Sequence, residues 1–345
     1  MRYAQLFFCV CRFSYTIEGM EPTSSRTRLY VALGTVAFVI IILVTYYFYT
    51  TSRQETPAIT GQMLLTLRTK GDNHVTSLFT LDAQTGDLRA RPHNGFMKMT
   101  EHVAPSGGQI AFTAMRLSDL DDTPTPMQVY RQSLDGTEVQ VTKSNTFYKR
   151  NPEWSPDGTK IAFMARPHAG GNATFENNWN IYVTDLSGNE VEVGEGMMPQ
   201  WFPDGKRLLA LGTDGLYVHD LETATATKVW ALEGGESLFN MKIDLSKDGS
   251  QIAWTLPGAG KVYVFAVDST ESFSGHITHT IDAHAFWAIF SEDGEKLALQ
   301  EVNVADFENN PQSRVTVYDL ATLDATVIKD LTAYDQEQMF ITDWR

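Results

Sequence analysis

Short runs of alternating apolar and polar residues recur along this chain at near-regular intervals, each broken by a compact turn. "WSPDGTKIAF" (154–163) returns as "WFPDGKRLLA" (201–210), "LSKDGSQIAW" (245–254) and "FSEDGEKLAL" (290–299), with a degenerate copy in "VAPSGGQIAF" (103–112). Aligned on Gly107, Gly158, Gly205, Gly249 and Gly294, the copies stand 51, 47, 44 and 45 residues apart. The Val, Ile, Tyr and Phe around them follow a strand pattern. Between the strands, Pro presets φ, Asp accepts bonds from nearby amides and Gly takes the positive φ that closes a hairpin. Each copy therefore predicts strand, turn, strand.

A second signature follows every copy and once precedes them all: "LFTLDA" (78–83), "VYRQSL" (129–134), "IYVTDL" (181–186), "LYVHDL" (216–221), "VYVFAV" (262–267) and "VTVYDL" (315–320). A more polar, β-prone stretch closes most units. Four strands repeating every 40–50 residues or so predict the blades of a β-propeller. The second signature occurs six times and the turn unit five, because the first blade opens at its second strand, "QMLLTLR" (62–68). The strand it lacks is "FITDWR" at 340–345, with Trp344 in register with Trp154 and Trp201. The expectation is an all-β, six-bladed propeller of four-stranded blades over residues 61–345, closed by a last strand that completes the first blade. Closure pairs edges that would otherwise stand open.

The alternation fails in one place. Residues 29–49, "LYVALGTVAFVIIILVTYYFY", run 21 residues without a charge, enough for a bilayer-spanning helix of about 20 residues. Tyr46, Tyr47 and Tyr49 cluster at one end and Arg26 and Arg28 flank the other. The positive-inside rule then puts residues 1–28 in the cytoplasm and the propeller outside it, beyond a linker of residues 50–60. The run is longer than the apolar core of a cleavable signal, so the expectation is an uncleaved single-pass anchor in the cytoplasmic membrane. Met20 is an alternative start to Met1. Cys9 and Cys11 are the only cysteines and both precede the apolar run, so the exported part needs no disulfide.

Composition changes the picture little. Among 345 residues 43% are hydrophobic, enough for a sizeable core. A net charge of −15, spread along the chain, argues against nucleic acid as a partner.

"PEWSPDGTKIAF" and "NIYVTDLSG" resemble the PD40, or TolB-like, WD40-related propeller repeat of bacterial envelope proteins. The resemblance covers residues 61–345, with two strong copies, two fair and two degraded. It implies an envelope protein or lipoprotein as partner and carries over no contact residue. TolB has a separate α/β domain ahead of its propeller; here only residues 50–60 separate the apolar run from the first blade. The chain thus resembles a membrane-anchored relative without that domain, and the peptidase relatives' hydrolase domain has no residues left to form it.

Asp157, Asp204, Asp248 and Asp293 repeat at equivalent positions and read as turn residues. Function is expected in the loops between second and third strands, long in blades two, three and six. Asp121, Asp122, Phe175, Glu176, Asn177, Asn178, Phe307, Glu308 and Asn309 are the binding candidates there, with "FENN" in two of the loops. The entrances to the innermost strands offer a channel mouth of Glu101, His102, Arg150, Asn151, Asn240, His284 and Gln338. The leading expectation is a protein-binding or scaffolding module on the outer face of the cytoplasmic membrane, with no catalytic residue, metal or cofactor assigned. The alternative is a lactonase- or hydrolase-type enzyme at the channel mouth. In lactonase-like propellers such a channel holds calcium, which takes six to eight oxygens; here the set is mixed with Arg and His.

Overall fold

The computed structural model describes residues 59–345 except 70–75, 92–95, 117–126, 134, 145–146, 168–178, 232–241, 270–273, 303–312 and 333. The anchor expected at 29–49 lies outside the described residues, as do the segments around it and all nine loop candidates. No helix among the described residues is long and apolar enough to cross a membrane.

Residues 59–345 form a compact unit of six four-stranded antiparallel sheets. Blade 1 contains β1 (Gln62–Thr69), β2 (Thr76–Asp82) and β3 (Leu88–Ala90), with β24 (Tyr334–Trp344) as its innermost strand. Blade 2 runs β4 (Phe96–Val103), β5 (Gln109–Arg116), β6 (Gln128–Ser133) and β7 (Glu138–Gln140). Blade 3 runs β8 (Phe147–Trp154), β9 (Lys160–Pro167), β10 (Asn180–Asp185) and β11 (Glu190–Glu195). Blade 4 runs β12 (Met197–Trp201), β13 (Arg207–Gly212), β14 (Gly215–Asp220) and β15 (Thr225–Ala231). Blade 5 runs β16 (Lys242–Leu245), β17 (Gln251–Leu256), β18 (Lys261–Ser269) and β19 (Ser274–Asp282). Blade 6 runs β20 (Ala285–Phe290), β21 (Lys296–Val302), β22 (Ser313–Asp319) and β23 (Ala325–Asp330).

The expected closure is present. β24 pairs antiparallel with β1, placing Trp344 opposite Met63 and Ile341 opposite Leu65. Trp344 Nε1 also donates to the Thr60 carbonyl at 2.9 Å. A second strand such as β13 is buried along nearly its whole length because blades cover both its faces, whereas the outermost strands β15 and β23 are largely exposed. The core therefore lies between blades. One apolar cluster joins Met164 and Ile181 of blade 3, Leu209 and Leu211 of blade 4, and Ile243 and Ile252 of blade 5. Another joins Ile289 and Val315 of blade 6 to Leu65, Ile341 and Trp344 of blade 1.

The repeat aspartates are turn residues. Asp157, Asp204, Asp248 and Asp293 each accept, through Oδ1, the backbone N–H two residues on, at 2.8–3.0 Å. Gly158, Gly205, Gly249 and Gly294 follow with φ between 65° and 74°, where a Cβ would be strained.

Candidate functional site

Five residues before each turn glycine, the innermost strand turns one side chain toward the axis. These are His102, Glu153, Gln200, Asp244 and Ile289, and Asp343 holds the same place in β24. All six line a central cavity of about 250 Å³. Its rim is made by the turns, with Pro105, Pro156, Pro203, Lys247 and Glu292. The cavity thus opens on the turn face, where the innermost strands end.

The inward side chains also tie neighbouring blades together. Asp343 Oδ2 accepts the Val103 N–H at 2.7 Å, and His102 Nδ1 accepts the Trp154 N–H at 3.1 Å. Glu153 Oε1 accepts from Trp201 at 2.8 Å, Gln200 Oε1 from Leu245 at a long 3.4 Å, and Asp244 Oδ2 from Phe290 at 2.8 Å. Each acceptor belongs to one blade and each donor to the next. The circuit breaks at Ile289, which has no acceptor to offer Trp344. Beside the break, the Arg345 guanidinium donates to the carbonyls of Val103 (2.8 Å) and Ala104 (2.9 Å), fastening blade 1 to blade 2.

Burial dominates the electrostatics. It raises Glu153 to about 8 and Asp244 to about 7, although each accepts a stabilising backbone bond and feels the positive charge of Lys242. Lys242, two residues before Asp244, is pulled below its ordinary value by burial and held up in part by Asp244 and Glu153. Its ammonium lies 4.4 Å from the centre of the Trp287 ring. Burial lowers His102 to about 4, against the opposing pull of Asp343. His102 is therefore neutral at pH 7, with the proton on Nε2, since Nδ1 is an acceptor. His102 and Asp244 keep partial exposure, so these shifts reflect a poorly solvated cavity wall rather than complete removal from water. No three His, Cys, Asp or Glu side chains among the described residues converge closely enough to hold a metal ion. The ring mixes the His102 imidazole and the Gln200 amide with three carboxylates, whereas calcium takes six to eight oxygens.

The channel-mouth candidates separate. His102 lines the cavity. Glu101 is buried instead, its Oε2 accepting from Thr66 Oγ1 of blade 1 at 2.9 Å, and burial raises it to about 8. Asn151 has a left-handed φ of 51° and donates its N–H to Thr100 Oγ1 at 3.2 Å, as part of a bulge. Arg150 Nη2 donates to the Tyr148 hydroxyl at 2.9 Å. His284 packs on Gly260, where a Cβ would come within 2.6 Å of its ring. Asn240 lies outside the described residues; Gln338 falls in β24, with its side chain outside them. Glu153, Gln200, Asp244 and Asp343 were missed. They share a column rather than a residue type, and the column five before the turn glycine would have found all of them but Asp343.

No protein-family model matches the sequence. The fold is that of a six-bladed, TolB-like propeller. TolB from Acinetobacter baumannii superposes with a TM-score of 0.58 at 18% identity, covering 86% of this chain and 69% of that one. A periplasmic gluconolactonase from Pseudomonas aeruginosa superposes with a TM-score of 0.52 at 15% identity, covering 78% and 82%. Dipeptidyl-peptidase 5 from Porphyromonas gingivalis is 31% identical over 140 residues, which are 36% of this chain and 19% of that protein's length.

Proposed function

We propose that this chain is a protein-binding module of the cell envelope, held on the outer face of the cytoplasmic membrane by residues 29–49 and presenting its loop-bearing face to an envelope protein or lipoprotein. The observation that carries this reading is the inter-blade circuit. Four of the five polar ring side chains that face the cavity spend an oxygen or nitrogen on the next blade at 3.1 Å or less, which suits a rigid scaffold. The TolB-like fold supports it. The uncharged length and flanking arginines of 29–49 support the anchor. In-cell crosslinking of the full-length protein, read by mass spectrometry, tests it. One specific envelope protein should be captured, and Phe175→Ala with Phe307→Ala should release it. A wild-type chain that captures nothing ends this reading.

A second reading is favoured by Glu153 and Asp244. Carboxyls raised to about 8 and about 7 at one depth of a cavity are suited to proton transfer near neutral pH. A lactonase or other hydrolase site would use them as acid and base. A lactone and ester screen tests it, with Glu153→Gln expected to abolish any turnover found.

A further inference from the structure

The break in the inter-blade circuit leaves a backbone donor facing the cavity. Arg345 and Gln62 exchange both of their N–H···O bonds, so the neighbouring pair, Trp344 and Met63, is a non-hydrogen-bonded one. The Trp344 N–H therefore points away from β1 and into the ring, as its five counterparts do. Those five are each taken by a side chain of the preceding blade, at 2.7–3.4 Å. Trp344 meets the alkyl group of Ile289 in that place. The Trp154 indole adds a second donor, since it lines the same cavity and its buried Nε1 has no partner among the described residues. The other two indoles of the wall, Trp201 and Trp344, both donate to backbone carbonyls.

Acceptors stand on either side of the break. Around the ring Ile289 lies between Asp244 of blade 5 and Asp343 of blade 1, with Glu153 two places before Asp244. Each carboxyl gives one oxygen to the backbone of the next blade and keeps the other. Glu153 Oε2 and Asp244 Oδ1 have no partner among the described residues, and Asp343 Oδ1 has a long 3.4 Å bond from Arg345 Nε. Glu153 and Asp343 are each only 9% exposed, so their oxygens are fixed in the cavity wall. A buried donor or acceptor left unmatched is costly, and an occupant that suits this wall returns both kinds of bond. An anion brings acceptors only, against carboxyl oxygens that also accept. A cation brings donors only and offers nothing to the Trp344 N–H. A hydroxyl does both, and Ile289 suits the C–H face of a ring that carries several. The cavity, about 250 Å³, is smaller than the roughly 300–1,000 Å³ of drug-sized sites and admits one small ring. We infer that the central cavity binds a small uncharged polyol of the size of one sugar ring, with the Trp344 N–H as donor and Glu153, Asp244 and Asp343 as acceptors. The inference shares its cavity with the hydrolase reading and needs no turnover.

The test is ligand-observed NMR on the full-length chain in a sugar-free detergent. The probes are myo-inositol, D-glucose, D-galactose and D-mannose, with cyclohexanol as a ring of similar size with one hydroxyl. At least one polyol should bind about tenfold or more tightly than cyclohexanol, the scale of one well-placed hydrogen bond. Ile289→Gln supplies the missing acceptor to Trp344 and should weaken polyol binding about tenfold or more in a chain that remains folded. Asp244→Asn keeps an oxygen for the Phe290 N–H but turns the free acceptor into a donor, and should weaken binding by a similar factor. Cyclohexanol bound as tightly as every polyol, or polyol binding undiminished in both folded variants, overturns the inference. So does a wild-type chain that binds none of the four polyols, a comparison that decides even where a variant fails to fold. Turnover separates the two readings. A polyol bound by a chain that hydrolyses no lactone or ester leaves the site standing and the hydrolase reading fallen. Hydrolysis by a chain that binds no polyol does the reverse.

Discussion

At the seam between blades 3 and 4, Glu153 reaches across to take the backbone N–H of Trp201. At the seam between blades 6 and 1 the equivalent residue is Ile289, which packs in an apolar cluster with Ile341 and Trp344. The same strand position thus joins blades by a desolvated hydrogen bond in one place and by hydrophobic contact in another. The polar seams are directional and fix the angle between blades. The apolar seam is not directional, and it sits beside the blade whose innermost strand comes from the far end of the repeat array. Orientation at that blade falls to the β24–β1 ladder and to the Arg345 bonds on its other side.

The contrast can be broken most forcefully at the tryptophans. Trp344→Ala should cost about 3–5 kcal/mol by cavity formation. Trp201→Ala should cost less within the same range, because Glu153 still takes the backbone N–H at position 201 across that seam. Equal denaturant midpoints for the two variants would remove the distinction between seams. Next in size, Glu153→Ala leaves the buried Trp201 N–H without its acceptor and should cost about 1–3 kcal/mol, read as a midpoint shift at constant slope.

Glu153→Gln keeps an acceptor but cannot ionise, so its effect depends on pH. Glu153 is raised in the fold from 4.5 to about 8, so its favourable contribution is complete below about 4.5 and is lost as pH rises through 8. The Gln variant should therefore gain stability relative to wild type between pH 5 and 8, by about 2 °C or more in Tm at the upper end. His102, lowered from 6.5 to about 4, works in the opposite sense, losing its contribution as pH falls below 6.5, so the comparison is cleanest above that value. A pH-independent difference would mean that Glu153 is ionised throughout. The smallest effect is expected at the broken seam. Ile289→Gln exchanges apolar contact for the missing acceptor, and should change stability by no more than about 1 kcal/mol. A loss near 3 kcal/mol would show that this seam tolerates nothing polar.

The blades were legible because their signals are local. An Asp-Gly turn and a run such as "KIAF" specify their own geometry within a few residues, so six blades and the closing strand could be counted from the chain. The cavity was less legible for two physical reasons. Its acceptors differ in type, since His102, Glu153, Gln200 and Asp244 each take the equivalent backbone N–H of the next blade, and a reading that looks for one residue type sees no pattern. The innermost strands are also bulged, with Thr100, Asn151 and Met198 at φ of 44°, 51° and 53°. Alternation counted from the strand entrance then goes out of phase, which is why Glu101 was expected in the channel and lies between blades, while Glu153 was passed over. Arg150 was expected at the channel mouth; in the fold it lies against the Tyr148 ring, near Arg166 and Trp179, an arrangement drawn from β8, β9 and the residue before β10, which no local pattern joins.

The β24–β1 pairing also sets a schedule. Leu64 and Thr342 share a hydrogen bond across 278 residues of chain. At the usual pace of synthesis, on the order of ten residues per second, β1 waits about half a minute for its partner to be made. During that interval blade 1 has an open inner edge, and the ring exists only as an arc. A nascent chain would spend that time with a strand-hungry edge exposed, so vulnerability to aggregation or proteolysis lasts until the final strand arrives.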